Sequence, residues 1–397
     1  MKKIVCLLCL CLLLVFTQVA GYAADLKLVK KFKGGKLYKA DNFNVLVLKG
    51  SYRQMGRQYG ALMKDDLKKF YAVAIDDLFI KKYHRDYEWL KKEAYKIVDL
   101  YPERFKEILR GMEETSGLTM DKLVMLDQVY VLTFVGGLPY CTGMAAWGEY
   151  TGGGPLVFAR NFDMGPLYKD FGEFLTMVVY NPDDGSVPTA SLIGHCGMVS
   201  TVNCMNKEGL LIENNEGVIS GGVVFYDNRM PTPIRNLAFL LDSSTMKQLD
   251  AMINGSRMVS SIIMNVADKN NAYSYECPVF DIKRRSGDHE GLLVATNHFI
   301  EPSWGISPPM FDPSDRTLRR RSNLLAAGKK YKGSFNPKTM MKLFDTTIDN
   351  GGPTWPLETH HTIFQFVAVP AELKVWLKAP GYADWTEIEL GKLFSED

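Results

Sequence analysis

Apolar positions change their spacing partway along the chain. Between residues 51 and 132 they recur three and four positions apart, as Tyr52, Met55 and Tyr59 do. This spacing is typical of amphipathic helices. Ser51 lies directly before the first of these positions and is predicted to cap the first helix. The early part of the chain is therefore predicted to be helical.

After residue 141 the pattern changes to short strands separated by turns. Residues 142–150 and 156–162 flank Gly152-Gly153-Gly154-Pro155, which predicts a β-hairpin. Further strands are predicted at 175–180, 190–193, 199–204, 210–212, 361–369 and 373–377, and helices at 234–241, 246–252, 317–329 and 337–348. Runs of strands, then helices, then strands favour an α+β fold over an alternating parallel one.

The first 24 residues have the three regions of a secretory signal peptide. Met1-Lys2-Lys3 is followed by an apolar run over residues 4–16 and then by small residues up to Ala24. This run is too short to span a bilayer comfortably. A membrane anchor is the alternative, but no charged stop-transfer pattern follows the run. The pattern predicts a secreted or periplasmic protein whose mature chain begins near Ala24 or Asp25.

The charge balance argues against a polyanionic partner. The chain has 47 basic and 45 acidic residues, and loss of Lys2 and Lys3 with the signal peptide leaves it formally neutral. No basic stripe is interleaved with aromatic residues, so neither nucleic acid nor an anionic membrane is an expected partner. The run Arg319-Arg320-Arg321 is predicted to lie on one solvated helix face.

Cysteine and histidine positions give no sign of a metal site. After removal of the leader, four cysteines remain: Cys141, Cys196, Cys204 and Cys277. They are too sparse for a disulfide scaffold, and none has the CxxC spacing of a zinc site. The adjacent His360 and His361 point to opposite faces of a strand. The sequence therefore predicts no metal and no cofactor, and leaves open whether any two cysteines pair.

Candidate chemistry concentrates at Cys141, where the first strand of the hairpin begins. The partner strand ends in Arg160-Asn161-Phe162-Asp163, which places a cation and an anion beside Cys141. An arginine lowers the pKa of a nearby thiol, and a carboxylate can hold an amine. A free α-amine has a pKa of about 7.7–8.0 and can act as a base at neutral pH. Cys141 gains such an amine if the bond before it breaks.

These residues belong to a longer series of motifs. The series consists of Cys141-Thr142-Gly143, Arg160-Asn161-Phe162-Asp163, Asn206-Lys207-Glu208-Gly209-Leu210 running into Glu213-Asn214-Asn215, then Thr296-Asn297 and Ser314-Asp315-Arg316. In this order the motifs resemble the cysteine N-terminal-nucleophile (Ntn) hydrolases. That family includes penicillin acyltransferase (acyl-CoA:6-aminopenicillanic acid acyltransferase), choloylglycine (bile-salt) hydrolases and acid-ceramidase-like enzymes. Upstream, residues 48–60 resemble the leader region of the penicillin acyltransferase branch.

The resemblance implies a fold and a division of the chain. The implied fold is a four-layer αββα sandwich of two antiparallel sheets, with a helical N-terminal segment. The implied units are a signal peptide (1–24), a helical leader or α-chain (25–140) and a catalytic β-chain (141–397). The precursor would cut itself before Cys141, and the two chains would stay associated.

The resemblance also implies a role for each site residue. Cys141 would be the nucleophile, Arg160 would activate or position it, and Asp163 would bind its α-amine. Asn215, or Asn214 in its place, would contribute to the oxyanion hole. Asn297 would position the amine or substrate, and Arg316, or Arg319 instead, would support the site. The chain departs from penicillin acyltransferase at Tyr140, where that enzyme has glycine, and a bulky residue there is expected to slow cleavage.

The implied activity is hydrolysis of a linear, non-peptide amide with an apolar acyl group, through an acyl-thioester on Cys141. Acyl transfer to an amine remains an alternative. A papain-like cysteine protease is another, because His289 follows Cys141 by a spacing such enzymes show. A non-catalytic secreted binding protein is the third. Aromatic residues that could line an acyl pocket are Trp147, Phe162, Phe171, Tyr226, Trp304 and Trp355.

Overall fold

The computed structural model describes residues 25–133, 140–168, 170–222, 224, 228–306 and 316–394. The predicted signal peptide, Tyr226 and the Ser314-Asp315 part of the last motif lie outside the described residues. Cys141, Cys196, Cys204 and Cys277 are all buried and free of disulfides.

The chain before Cys141 begins with strands and continues with helices. The strands are β1 (Lys27–Phe32), β2 (Gly35–Ala40) and β3 (Phe43–Gly50). The helices are α1 (Tyr52–Leu62), α2 (Lys64–Tyr71), a π-helical segment (Ala72–Lys82), α3 (Tyr87–Val98), α4 (Glu103–Ser116), α5 (Met120–Asp127) and α6 (Val129–Thr133). The prediction of a helical 25–140 segment is thus wrong for residues 27–50. The predicted Ser51 cap is confirmed, because Ser51 and Gln54 form a capping box.

The chain from Cys141 onward alternates between strands and pairs of helices. It forms β4 (Thr142–Ala146), β5 (Val157–Asp163), β6 (Leu175–Pro182), β7 (Thr189–His195), β8 (Asn203–Asn206), β9 (Leu211–Glu216), α7 (Val218–Gly221), α8 (Thr232–Leu241), α9 (Met246–Asn254), β10 (Ile262–Ala267), β11 (Ala272–Cys277), β12 (Lys283–Arg285), β13 (Leu292–Ala295), α10 (Thr317–Tyr331), α11 (Pro337–Phe344), β14 (Thr362–Val369), β15 (Lys374–Ala379), β16 (Ala383–Glu389) and α12 (Leu390–Leu393).

The strands form two sheets. The large sheet has ten strands in the order β1-β2-β3-β6-β7-β8-β9-β10-β11-β12, and the small sheet has six in the order β13-β4-β5-β14-β15-β16. One pairing departs from the predicted antiparallel pattern. Strand β3 runs parallel to β6, with Asn44–Gly50 opposite Thr176–Pro182. The large sheet is therefore mixed, and the segment before Cys141 is part of it.

The layers follow from which side chains pack together. Helices α8 and α9 cover one face of the large sheet, where Leu240, Leu249 and Ile253 pack with Ile212, Met264 and Tyr275. Helices α10 and α11 cover one face of the small sheet, where Leu324, Leu343 and Phe344 pack with Met144, Val157 and Val367. The remaining faces meet, since Arg160 of β5 pairs with Glu213 of β9. The chain is an α+β protein with four layers in the order αββα, as expected.

No membrane-crossing helix is present among the described residues. Every helix among them is too short or too polar to span a bilayer.

Candidate active site

The hairpin predicted around Cys141 is present. Thr142 of β4 lies opposite Asn161 of β5, and Gly143 lies opposite Arg160. Tyr140 N donates to Asp163 O at 2.7 Å, so the pairing continues past the nucleophile candidate. Because side chains alternate along a strand, Cys141 points to the inner face, between the two sheets.

Arg160 is fully buried and touches the thiol. Its Nη2 lies 3.5 Å from Cys141 Sγ. The same Nη2 donates to Asn214 O (2.6 Å), and Nη1 donates to Val202 O (3.0 Å) and Asn203 Oδ1 (2.8 Å). These bonds to the large sheet fix the guanidinium beside the sulfur, since each holds one edge of a planar fork.

Glu213 supplies the counter-charge for Arg160. Its Oε2 lies 3.2 Å from Arg160 Nε, and its Oε1 accepts from Asn265 Nδ2. Burial raises the pKa of Glu213 to about 7, against the opposing effect of Arg160. A Cβ at position 143 would lie 2.2 Å from Glu213 Oε1, so the carboxylate reaches its place only because residue 143 is glycine.

Two effects compete on the thiol of Cys141. Burial raises its pKa, and the charge of Arg160 lowers it. Asp163 adds a smaller upward effect. Arg160 therefore lowers the pKa of the Cys141 thiol, as predicted. Desolvation of the buried thiol raises this pKa by more.

Replacing Arg160 with methionine is expected to slow alkylation of Cys141 at neutral pH by about tenfold or more, because loss of the nearby cation raises the thiol pKa and lowers the fraction of reactive thiolate. The rate is measured by mass spectrometry of the peptide that carries residue 141. Arg235→Met is the control, because Arg235 is also buried but bonds to Met230 O and Arg257 O. Equal rates in wild type and Arg160→Met would show that Arg160 does not act on the thiol.

Asp163 carries an unused acceptor beside Cys141. Its Oδ1 accepts from Thr362 Oγ1 at 2.7 Å, whereas its buried Oδ2 has no hydrogen-bond partner among the described residues. Burial raises the pKa of Asp163 to about 7, and the charges of Arg320 and Arg160 oppose that rise. A buried carboxylate oxygen without a donor is costly, and an ammonium group would remove that cost.

The two asparagines of β9 point to opposite faces. Glu213 and Asn215 share the inner face with Cys141, whereas Asn214 alternates with them. Asn215 Nδ2 donates to Ala295 O at 3.3 Å. Both asparagines line the same cavity as Cys141. The alternation favours Asn215 as the side chain nearer the nucleophile, while Asn214 contributes its carbonyl to Arg160.

The arginine that reaches Cys141 from α10 is neither of the two considered from the sequence. Arg316 is half-buried with its guanidinium 4.6 Å from the ring centre of Trp355. Arg319 is exposed and pairs with Asp349. Arg320 is fully buried, so the prediction of a solvated arginine run is wrong at this position.

Arg320 connects the nucleophile to Asn297. Its Nη1 donates to Cys141 O at 2.5 Å and to Thr142 Oγ1. Its Nη2 donates to Asn297 Oδ1 at 2.8 Å. Asn297 Nδ2 in turn donates to Glu216 O at 3.0 Å. Asn297, predicted from the sequence, thus lies in the same polar network as Cys141. Arg320 belongs to this network although it was not predicted from the sequence.

Three site residues were not predicted: Arg320, Glu213 and Thr362. They differ in how far the local sequence indicates their role. Arg320 shares a helix face with Thr317, Leu324 and Ala327, and this spacing marks a buried position. Glu213 is the first residue of the Glu213-Asn214-Asn215 motif. Thr362 gives no local signal, because its bond to Asp163 depends on β14 pairing with β5.

The described residues form a cavity of about 400 Å³, and Cys141 and Arg160 are part of its wall. Its wall is mostly apolar and includes Trp89, Ile97, Leu100, Leu132, Phe162, Val218 and Ile262. Trp89, Ile97, Leu100 and Leu132 come from the chain before Cys141. Of the described aromatic residues predicted for such a pocket, Phe162 lines it, whereas Trp147, Phe171, Trp304 and Trp355 do not. The volume is within the range of small-molecule sites, about 300–1,000 Å³.

Within the described ranges, no group of three or more His, Cys, Asp or Glu side chains is placed to hold a metal ion.

His289, the partner that a papain-like enzyme would need, is exposed in the turn before β13. Cys141 directly precedes strand β4, which begins at Thr142, whereas a papain-like nucleophile lies at the start of a helix.

No protein-family model and no curated protein matches the sequence. Solved structures are similar to it, including the following three. A variant of the conjugated bile acid hydrolase from Clostridium perfringens is 13% identical, covers 65% of this chain and 95% of its own, and has a TM-score of 0.47. The N-acylethanolamine-hydrolyzing acid amidase ortholog of Caenorhabditis elegans is 17% identical, with coverages of 62% and 97% and a TM-score of 0.44. Penicillin V acylase from Agrobacterium tumefaciens is 14% identical, with coverages of 64% and 87% and a TM-score of 0.45. In its motifs and in the order of its four layers, the chain is similar to cysteine N-terminal-nucleophile hydrolases.

Proposed function

We propose that this protein is an amide hydrolase whose nucleophile and base both belong to Cys141, after the chain has cut itself between Tyr140 and Cys141. One observation carries the proposal. The buried thiol of Cys141 contacts Arg160, and the neighbouring Asp163 has a buried carboxylate oxygen with no donor among the described residues. A new α-amine at Cys141 is the donor that this oxygen needs. The unpartnered oxygen beside Cys141 therefore supports the proposal of an amino-terminal cysteine.

Self-cleavage uses the same thiol as turnover. Cys141 Sγ bonds to the Tyr140 carbonyl carbon, the C–N bond breaks, and the thiol proton passes to the departing Cys141 nitrogen. Water then opens the thioester, giving a carboxylic acid at Tyr140 and restoring the thiol. The freed amine, held by Asp163, acts as the general base for external amides.

Turnover of an external amide follows the same bond changes. The amine takes the thiol proton, sulfur attacks the amide carbon, and the protonated amine gives its proton to the leaving nitrogen. Asn215 stabilises the oxyanion as a hydrogen-bond donor. Water hydrolyses the acyl-thioester and releases the acid. We propose that Arg320 and Asn297 keep the Cys141 backbone fixed while these charges form.

The cavity supports an apolar acyl group as the recognised part of the substrate. Its wall is largely apolar, and Arg160, the cation beside the thiol, is already paired with Glu213. We propose linear, non-peptide amides with apolar acyl groups as the substrate class. Hydrolysis is favoured over transfer, because a secreted enzyme meets water at far higher concentration than any amine unless a pocket binds that amine first.

Export and association complete the proposal. The protein is secreted or periplasmic after loss of residues 1–24, and the two chains remain together after cleavage. Three contacts between them support this association: the β3–β6 pairing, the bond from Gly197 N to Tyr59 Oη at 2.7 Å, and the bond from Val199 N to Asp127 Oδ1 at 2.7 Å. None of these contacts needs the Tyr140–Cys141 bond.

A substrate panel tests the activity. N-acyl amino acids, bile-salt conjugates, N-acyl ethanolamines and penicillins are incubated with mature protein, with and without an amine acceptor. The proposal predicts release of free acid from at least one non-peptide amide in water alone. Turnover confined to peptides would reject the substrate class. Acyl product formed only with acceptor would make the enzyme a transferase, and no turnover of any compound would favour a binding protein.

A further inference from the structure

Tyr140, the residue before the cleavage point, is held on two sides. Its backbone N–H donates to Asp163 O at 2.7 Å. Its ring lies against the indole of Trp355, with ring centres 5.7 Å apart and planes tilted by 48°. This separation lies within the range of favourable aromatic pairs, about 4.5–7 Å. The Tyr140 side chain therefore makes a favourable packing contact with Trp355.

Trp355 is itself fixed in place. It is buried, and its ring stacks on His361 with centres 4.5 Å apart. The guanidinium of Arg316 lies 4.6 Å from the centre of the same ring. A ring held by an aromatic and by a cation presents a rigid surface to Tyr140.

The two anchors of Tyr140 are joined to each other. Trp355 N donates to Thr362 Oγ1 at 3.3 Å, and the Thr362 hydroxyl donates to Asp163 Oδ1 at 2.7 Å. Asp163 is also the residue whose carbonyl accepts from Tyr140 N. The contacts thus form a closed loop that joins the backbone N–H of Tyr140 to its ring. The carbonyl that the Cys141 thiol attacks in the proposed self-cleavage belongs to this doubly held residue.

We infer that Trp355 is a positioning residue for self-cleavage, because it holds the Tyr140 side chain so that the Tyr140 carbonyl stays within reach of Cys141 Sγ. The inference rests on the proposed self-cleavage. It reverses the sequence expectation that a bulky Tyr140 slows the cut. Holding reacting groups in a fixed geometry is worth large rate factors, and small misplacements are costly.

The test follows cleavage in pulse-labelled cells, as the fraction of full-length chain cut over time. Tyr140→Ala is expected to slow cleavage about two- to tenfold, which is the worth of one aromatic pair. Tyr140→Phe keeps the ring and is expected to cut at close to the wild-type rate. Tyr83→Ala is the matched control, because Tyr83 is exposed at the end of the π-helical segment, and this variant is expected to cut normally.

A second variant separates positioning from folding. Trp355→Leu is expected to slow the cut, and in that background Tyr140→Ala is expected to have no further effect, whereas Trp355→Phe restores both the rate and the dependence on Tyr140. Loss of a purely structural tryptophan would lower the melting temperature without removing the dependence on residue 140. Equal cleavage rates for wild type and Tyr140→Ala would overturn the inference alone. A wild-type chain that never cuts would overturn both the inference and the proposed self-cleavage.

Discussion

Cys141→Ala is expected to stay a single uncut chain and to lose amide turnover by about four orders of magnitude or more, because nucleophile and base disappear together. The fold should persist, since alanine removes only one buried sulfur atom. Turnover is measured as acid release, and cleavage is measured on a denaturing gel.

Cys204→Ala is the control for this substitution. Cys204 is equally buried, but it packs with Ile212 and Phe239 on the helix-covered face of the large sheet, away from the inner face. It should cut and turn over as wild type does. Residual turnover in Cys141→Ala within tenfold of wild type would assign the chemistry to another residue.

Arg320→Met is expected to lower kcat/KM by about a hundredfold, because Cys141 O and Asn297 Oδ1 lose their shared donor and the nucleophile is no longer fixed. The pKa of Asp163 should also rise further, since the charge of Arg320 now holds it down. Arg320→Lys should restore only part of the rate, because an ammonium group cannot reproduce the planar fork.

Arg319→Met tests whether position in the helix or charge alone explains the effect. Arg319 is the adjacent residue, is exposed, and makes a surface ion pair of 2.8 Å with Asp349. Such pairs contribute about 0–1 kcal/mol, so stability and turnover should change little. Equal losses in the two variants would remove Arg320 from the site.

The sequence predicted those parts of the site that depend on local order. The hairpin of β4 and β5 places Arg160 and Asp163 beside Cys141 through cross-strand pairing alone, and turn residues marked that hairpin. The Ser51 cap is equally local. The roles of Asn215 and Asn297 remain predictions, although both lie near Cys141 or in its polar network.

The parts that were missed depend on how distant elements meet. Glu213 becomes the partner of Arg160 only when the two sheets pack face to face. Strands β10 and β11 escaped prediction because polar residues, such as Asn265 and Glu276, interrupt their apolar pattern. Both are buried, and their hydrogen-bond partners lie elsewhere in the chain: Glu213 for Asn265, and Ile300 and Trp304 for Glu276.

Arg320 illustrates a different limit. Three consecutive arginines average to a strongly polar segment, yet Arg320 is fully buried and Arg321, with 16% of its side chain exposed, pairs with Asp288. The polar average favoured solvent, whereas the helical period of Thr317, Leu324 and Ala327 pointed to burial at position 320. In this helix, the spacing of buried positions predicts burial of Arg320 better than the average polarity of the segment does.

Intact mass spectrometry of exported wild-type protein, with N-terminal sequencing of its fragments, decides whether Cys141 becomes an amino terminus. Two chains that co-purify are expected, one of 116 residues (25–140) beginning near Ala24 or Asp25, and one of 257 residues (141–397) beginning with Cys141. A single uncut chain that still hydrolyses amides would contradict the account, because its base would then not be the α-amine of Cys141.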